Sequence, residues 1–153
     1  MLKVELGKHF DRNLFLTDLQ SDTKKQALGE LLDLFVDTGY IKDRDVVLEM
    51  LNQRETLGST GIGNAIAIPH GRTTAAADVI IAFGKSSKGI EFDAIDKKPV
   101  HLFFMVIAPP NDKGNIYLPI LGSLVTVLNK QENREQLMSI ETFDELMSII
   151  NGE

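Results

Sequence analysis

The chain has 153 residues, no cysteine and a formal net charge of −6, with 43% of its residues hydrophobic and 25% charged. This length suffices for one domain with a full core, and the lack of cysteine excludes disulfides, thiol catalysis and sulfur-bound metals. The negative charge and the scattered lysines argue against nucleic acid as a partner, and no apolar run approaches the roughly 20 residues of a membrane span, so we expect a cytoplasmic protein without direct membrane insertion.

The first elements predicted are a strand and an amphipathic helix. Residues 13–16 form a short strand-like run. Apolar residues at three- and four-residue spacing follow it: Leu28, Leu31, Leu32 and Phe35. We expect this helix to be capped by Ser21 or Asp22 and to end at Gly39.

A second helix is predicted to start at Asp43 and to end near Arg54. Arg54 then lies at the entrance of a glycine-rich loop. There it is either one half of a surface ion pair or a ligand for an anion, and the backbone donors of the loop favour the second role.

Two near-continuous apolar runs, residues 79–84 and 100–108, are typical of strands that are covered on both faces. They imply a central sheet between helical layers. Residues 85–96 between them are polar and turn-forming, so they predict a loop or a short edge strand.

The last third of the chain predicts helices. One is expected after a cap at Asn115 with Pro119 in its first turn, and the pattern of Thr142 and Glu145 is a capping box for the last helix, which ends at Asn151. Taken together, the elements predict a single α/β domain with three layers over residues 1–153.

The most informative stretch is residues 58–72, a turn-rich loop that runs into a short apolar segment and stops at His70. Pro69 restricts the backbone directly before this histidine. Of the three histidines, His9 and His101 lie in unremarkable surroundings, and only His70 sits in turn chemistry. We therefore expect His70 to be the working residue, presented at the end of a strand.

Two kinds of chemistry are poorly supported for His70. No metal-binding spacing such as His-x-x-x-His surrounds it, so we expect no metal. A Ser-His-Asp hydrolase needs a serine nucleophile, and neither Ser59 nor Ser123 lies in a Gly-x-Ser-x-Gly elbow.

The remaining chemistry is attack by the imidazole itself, with phosphorus as the target. Neutral imidazole is a good nucleophile near pH 7. The loop residues Gly61, Gly63 and Asn64 are expected to point N–H groups at phosphate oxygens, and Arg54 is expected to neutralise charge.

The pair Arg54 and Glu55, followed by the run at residues 58–71, resembles the phosphorylation-site signature of the fructose/mannitol-type enzyme IIA family of the bacterial phosphoenolpyruvate-dependent phosphotransferase system. The resemblance covers most of the chain. Its Gly-Ser-Thr-Gly-Ile-Gly form at residues 58–63 looks most like the nitrogen-regulatory branch.

This resemblance implies a mixed β-sheet flanked by helices on both faces, in one enzyme IIA-like (type 2) domain that works without a cofactor. It implies that His70 accepts a phosphoryl group from the phosphohistidine of HPr or a nitrogen-type HPr, and that Arg54 contacts the phosphate. Ser59 and Thr60 join the expected phosphate-binding residues.

The sequence departs from the family at two positions. Tyr117 stands where members usually carry a second histidine, and a phenol can donate one hydrogen bond to a phosphate oxygen but cannot become cationic. His101 is expected to be a packed histidine and not its replacement. Ala65 stands where glycine is common, which is a mild change if its φ is negative.

Three outputs remain open. We expect a regulatory module whose binding to other proteins changes on phosphorylation, because no enzyme IIB or membrane sequence is joined to the domain. The alternative is a sugar-specific enzyme IIA that passes phosphate to enzyme IIB. A third possibility, prompted by Tyr117, is a partner-binding module without transfer.

Overall fold

The computed structural model describes residues 5–112 and 114–152, which form a mixed sheet of six strands and five α-helices. The strands are β1 (Phe10–Leu16), β2 (Gly61–Gly63), β3 (Ile66–Ala67), β4 (His70–Arg72), β5 (Ile80–Ile90) and β6 (Val100–Ala108). The helices are α1 (Lys24–Asp37), α2 (Arg44–Thr56), α3 (Tyr117–Leu128), α4 (Gln131–Ser139) and α5 (Phe143–Asn151). The domain expected over 1–153 also includes residues 1–4, 113 and 153, which lie outside the described residues.

The sheet is organised around β6. Its strand order is β1-β5-β6-β3-β2, and β4 also pairs with β6. The pairs β1/β5, β3/β6 and β4/β6 are parallel, whereas β5/β6 and β2/β3 are antiparallel. Because β5 occupies one edge of β6, the short strands β3 and β4 lie one after the other along its other edge.

Helices cover both faces of the sheet, since successive residues of β6 point to opposite sides. On one side, buried residues of β6 pack on α1 and α2: Phe103, Met105, Leu31, Phe35 and Leu51. On the other side, buried residues of β6 pack on α3 and α5: Phe104, Val106, Ile120, Leu124 and Leu146. The predicted three-layer α/β architecture with a mixed sheet is confirmed. Within the two described ranges, no helix is both long and apolar enough to cross a membrane.

Two of the predicted helix starts are confirmed and one is shifted. The side chain of Asp43 caps α2, and Thr142 forms a complete capping box at the start of α5. Helix α1 is capped by Thr23 and not by Ser21 or Asp22. The hydroxyl of Ser21 instead donates to the carboxylate of a glutamate within α1, so it is not available as a cap.

Helix α3 begins differently from the prediction. Asn115 adopts a left-handed φ of 51° and makes no side-chain cap. The backbone N–H of Tyr117 donates to Asp112 Oδ2 at 2.6 Å, so a carboxylate further back in the chain satisfies the first turn. Pro119 lies in that first turn, as predicted.

The prediction of a loop or short edge strand at residues 85–96 is wrong for its first half. Strand β5 continues to Ile90, which pairs with Val100 of β6. Ser86 is fully buried within this extension. Its polar residues suggested a loop because hydrophobicity alone does not report pairing with a neighbouring strand.

A two-residue turn joins β2 to β3. Asn64 and Ala65 have φ values of 56° and 68°, and Gly63 has 92°. Two central residues with positive φ are the mark of a type I′ hairpin turn. The φ of Ala65 is therefore positive, so the condition under which alanine in place of glycine would be a mild change is not met, and a Cβ in this region costs about 1–2 kcal/mol.

Replacing Ala65 by glycine is expected to stabilise the domain. The backbone strain that glycine relieves is larger than the conformational entropy that glycine adds to the unfolded chain. We expect Ala65→Gly to raise the free energy of unfolding by about 0.5–1 kcal/mol, measured by urea denaturation. The matched control is Ala77→Gly at an exposed position whose φ is not positive. There the same change should lower the free energy of unfolding by about 0.4–1 kcal/mol. If both variants changed the free energy of unfolding in the same direction, Ala65 would not be strained.

Candidate functional site

His70 is the first residue of β4, not the last residue of a strand as predicted. It pairs with Val106 of β6, whose N–H donates to the carbonyl of Pro69 at 2.8 Å. The imidazole is half-buried, and its Nδ1 lies 2.6 Å from the carbonyl oxygen of Ile68. Because a carbonyl oxygen only accepts, Nδ1 carries the hydrogen. In the neutral ring, Nε2 therefore holds the free lone pair.

The electrostatic environment keeps this imidazole neutral at pH 7. Burial is the main cause that lowers the pKa of His70 below its ordinary value of 6.5, and the charge of Arg54 lowers the pKa further. The hydrogen bond to Ile68 and the carboxylate of Glu55 act in the opposite direction without reversing the shift. A neutral ring is the form that can act as a nucleophile.

A chain of hydrogen bonds holds the carbonyl of Ile68 in place. Glu55 accepts from the backbone N–H of Thr60 at 3.1 Å and from its hydroxyl at 2.6 Å. Lys24 lies 2.9 Å from the same carboxylate, whose side chain is only 7% exposed. Thr60 in turn accepts from Ile68 N–H at 3.0 Å through its carbonyl. A buried ion pair is thus linked, bond by bond, to His70.

Sequence reasoning missed Lys24 and Glu55 as residues of this network. The pair spans α1 and α2 and is separated by about thirty residues, so no local pattern joins them. One signal was present: Glu55 lies in the last turn of α2, where the helix dipole disfavours a carboxylate. A carboxylate at the C-terminal end of a helix is therefore expected to have a cationic partner.

Arg54 and Tyr117 are brought to His70, as the sequence suggested. The ring centroids of His70 and Tyr117 are 6.4 Å apart, and Tyr117 is only 5% exposed. Burial raises the pKa of Tyr117 to about 12, against the opposing charges of Arg72 and Arg54, so the hydroxyl is neutral. Arg54 is anchored through Nη1, which donates to the carbonyl of Gly58 at 2.9 Å.

The other predicted phosphate ligands serve the loop itself. Ser59 donates its hydroxyl to the carbonyl of Phe92 at 2.6 Å and accepts from Gly61 N–H at 3.0 Å. The N–H and the hydroxyl of Thr60 are both used by Glu55. These donors are already occupied, so the geometry does not support a role for Ser59, Thr60 or Gly61 as phosphate ligands.

Gly63 and Asn64 lie at the far end of the sheet from His70. Their hairpin leads into Ile66, which pairs with Leu102, whereas His70 pairs with Val106. Four residues along a strand are about 13 Å. The N–H of Asn64 also donates to Asp96 at 3.1 Å. Where a glycine-lined cradle was expected, the structure therefore has a hairpin turn, because Gly63 and Asn64 serve the reversal of the chain.

The other two histidines are held elsewhere. His101 Nδ1 lies 2.8 Å from the carbonyl of Ser86, and His101 stands five residues before Val106 on β6, about 16 Å along the strand. His9 Nδ1 lies 3.0 Å from the carbonyl of Val79. His101 thus cannot replace a second histidine beside His70. Across residues 5–112 and 114–152, no group of three or more histidine or carboxylate side chains forms a metal-binding cluster.

Comparison with known proteins gives a consistent result. The family model described as "Phosphoenolpyruvate-dependent sugar phosphotransferase system, EIIA 2" matches residues 8–153. The fructose-specific EIIA component of Haloferax volcanii is 40% identical over 128 residues, which are 84% of this chain and 82% of that protein. The fructose-specific EIIABC component of Bacillus subtilis is 37% identical over 134 residues, but the chain spans only 21% of that longer protein.

A solved structure extends the similarity to a second kind of protein. The nitrogen regulatory protein IIA-Ntr from Neisseria meningitidis matches with a TM-score of 0.86 and 32% identity, covering 95% of this chain and 98% of that chain. The chain is therefore similar to proteins of both branches considered from the sequence, over 84% of its length for the fructose-specific component and 95% for the nitrogen regulatory protein.

The lowered pKa of His70 predicts a defined response to acid. A group whose pKa is lower in the folded state binds fewer protons there than in the unfolded chain, so stability falls as pH drops below about 6.5. Replacing His70 by glutamine removes this contribution. We expect His70→Gln to lose less free energy of unfolding than the parent protein between about pH 7.5 and about pH 5.5, measured by urea denaturation. An equal loss in both proteins would contradict the shift.

The hydrogen-bonded link to His70 predicts that Glu55 matters for stability more than other acids of α2. Glu55→Gln leaves Lys24 without its charge partner and should lower the free energy of unfolding by about 1–3 kcal/mol. Glu49→Gln, an exposed change on the same helix, should alter it by less than about 0.5 kcal/mol. Faster exchange of the His70 Nδ1 proton in Glu55→Gln, followed by NMR, tests the link to the ring. Equal changes in the free energy of unfolding for Glu55→Gln and Glu49→Gln would show that the network of Glu55 does not stabilise the domain.

Proposed function

This chain belongs to the EIIA 2 family of the phosphoenolpyruvate-dependent sugar phosphotransferase system, and on that basis we propose that His70 Nε2 accepts and passes on the phosphoryl group. As a member of this family, the chain is a phosphotransferase component that carries a phosphoryl group. The assignment to His70 depends on one observation. The ring is held through Nδ1 by a backbone carbonyl, which leaves Nε2 with a lone pair beside a cationic arginine.

The transfer exchanges one N–P bond for another. Nε2 forms a bond to phosphorus with its lone pair while the N–P bond of the donor's phosphohistidine breaks, and that electron pair stays on the donor's imidazole nitrogen. Each ring keeps the proton on its other nitrogen. The donor ring becomes neutral and the His70 ring takes the positive charge, which the carbonyl of Ile68 stabilises through the Nδ1 hydrogen bond.

Arg54 supplies the positive charge in this proposal. A phosphoryl group adds close to two negative charges at neutral pH. The guanidinium has five N–H donors in a fixed fork, and one of its nitrogens, Nη1, is used by the carbonyl of Gly58. The remaining donors can reach a phosphoryl oxygen. Tyr117, which stays neutral, contributes one hydrogen bond from its hydroxyl.

The phosphoryl donor in this proposal is HPr or a nitrogen-type HPr, that is, a protein. Large apolar side chains are exposed beside both predicted phosphate ligands: Leu57 is 84% exposed and Leu118 is 66% exposed. Leu57 lies three residues after Arg54, and Leu118 directly follows Tyr117. Exposed leucines close in sequence to the residues of the site suit a surface on which another protein docks.

We propose a regulatory output as the main function. The protein from Neisseria meningitidis, which is named as nitrogen regulatory, is 32% identical and is covered over 98% of its length. Addition of charge at His70 would change docking on the surrounding leucines, which is how phosphorylation switches an apolar interface. The alternative is transfer to an enzyme IIB, supported by the 40% identity to a fructose-specific EIIA component and by the EIIABC relative, whose name joins A with B and C.

The first experiment tests the phosphoryl acceptor. Incubation with phosphoenolpyruvate, enzyme I and HPr should give the protein an acid-labile mass gain of one phosphoryl group, detected by intact mass spectrometry. His70→Ala should abolish the gain without unfolding the domain, whereas His101→Ala, at the other end of β6, should keep it. Labelling that survives in His70→Ala would move the acceptor to another residue, and no labelling of the parent protein would favour a partner-binding module without transfer.

The same preparation separates the two outputs. Passage of the label to a purified fructose-type enzyme IIB would support the sugar-transport alternative. Capture of a non-transport protein that depends on the phosphorylation state of His70 would support the regulatory function.

A further inference from the structure

The site holds a buried phenol where the family resemblance leads one to expect a second imidazole. Tyr117 has its pKa raised to about 12, so it is neutral and cannot share the charge of a phosphoryl group. Apart from the phosphorylated ring itself, Arg54 would then be the one cation set against close to two negative charges of the phosphoryl group. The structure contains another arginine, Arg72, in contact with this tyrosine ring.

Arg72 is placed by the same short strand as His70. The two residues are the first and last of β4 and are separated by Gly71. Since side chains alternate along a strand, His70 and Arg72 lie on the same face of β4. A Cβ on Gly71 would meet Met50 of α2, so the opposite face of β4 points toward the α1 and α2 layer.

The guanidinium of Arg72 stacks on the ring of Tyr117. Its Cζ lies 4.8 Å from the ring centroid, and this ring is the one whose centroid is 6.4 Å from that of His70. A cation over an aromatic face is an attractive arrangement that also restricts the long side chain. Tyr117 thus serves as a platform that holds Arg72 near His70.

Arg72 keeps most of its hydrogen-bonding capacity. Nη1 donates to the carbonyl of Pro110 at 3.3 Å. Over the described ranges 5–112 and 114–152, Arg72 takes part in no ion pair, whereas Arg12 and Arg44 are each paired with an aspartate. Its side chain is exposed, so its free N–H donors can meet an anion that arrives with a partner protein.

We propose that Arg72 is a second phosphate-binding residue, which donates to an oxygen of the phosphoryl group on His70 and supplies the charge that Tyr117 lacks. This inference rests on the proposed function of His70. The phosphoryl group then lies between two arginines, Arg54 from α2 and Arg72 from β4. An arginine is charged at every physiological pH, so this help does not depend on the titration of a second imidazole.

The test compares phosphoryl transfer from purified phospho-HPr to variants of the full chain, with the maximal rate and the half-saturating donor concentration measured separately. Arg72→Gln should lower the maximal rate by about ten- to a hundredfold and leave half-saturation unchanged, because a charge-assisted hydrogen bond of the transition state is lost. Arg72→Lys keeps the charge and should recover part of the rate. Arg12→Gln, an exposed change away from the site, should stay within about twofold of the parent.

Tyr117→Leu provides a second arm, because it removes the platform together with the Tyr117 hydroxyl while the Arg72 side chain is retained. Arg72→Gln should then cause a clearly smaller further loss in the Tyr117→Leu background than in the parent, as expected for residues that act together. Urea denaturation verifies that each variant is folded, and Arg72→Met, which also removes the charge, replaces Arg72→Gln if that variant does not fold.

Each result decides between stated alternatives. A parent-like rate for Arg72→Gln, or a change confined to half-saturation, would overturn the inference while labelling of His70 continues. In the second case Arg72 contacts the donor protein and not the phosphoryl group. Absence of labelling in the parent protein would instead overturn the proposed function of His70 and this inference with it.

Discussion

The hydrogen bond between His70 Nδ1 and the carbonyl of Ile68 is the constraint on which the chemistry of this protein depends. It selects the tautomer, orients the ring and leaves the lone pair on Nε2, the atom that we propose as the phosphoryl acceptor. This hydrogen bond forms only if its acceptor, the carbonyl of Ile68, stays in position. Hydrogen bonds through Thr60 to the buried carboxylate of Glu55 hold Ile68 there. A functional geometry is thus supported by a chain of polar contacts that reaches across two helices.

The glycine-rich stretch of residues 58–72 contacts β6 at two separate places. Near Leu102, the positive φ values of Asn64 and Ala65 reverse the chain within two residues. About 13 Å further along the strand, a second short strand begins with His70 beside Val106. The reversal lets β3 and β4 both pair with one edge of β6, which places the histidine at a determined register. Glycine here serves strand pairing and not phosphate binding.

The sequence was sufficient for the features that local patterns encode. Apolar periodicity predicted the helices and the two buried strands, and the side chains of Asp43 and Thr142 marked two helix starts. Other features depend on contacts between distant segments. Neither the Lys24–Glu55 ion pair nor the continuation of β5 to Ile90 has a local signal. The stretch predicted to form a cradle forms a hairpin turn, since a turn and an anion site share the same glycine and asparagine signature.

The location of positive charge determines how such a site responds to its surroundings. A cation carried by α3 would move with that helix and, as an imidazole, would titrate near neutral pH. In this chain the helix contributes a neutral ring, and the cation stacked on that ring comes from β4, two residues from His70. Strand pairing with β6 ties both residues to the same rigid element. The sheet therefore holds both His70 and Arg72, and the helix contributes the ring on which the guanidinium stacks.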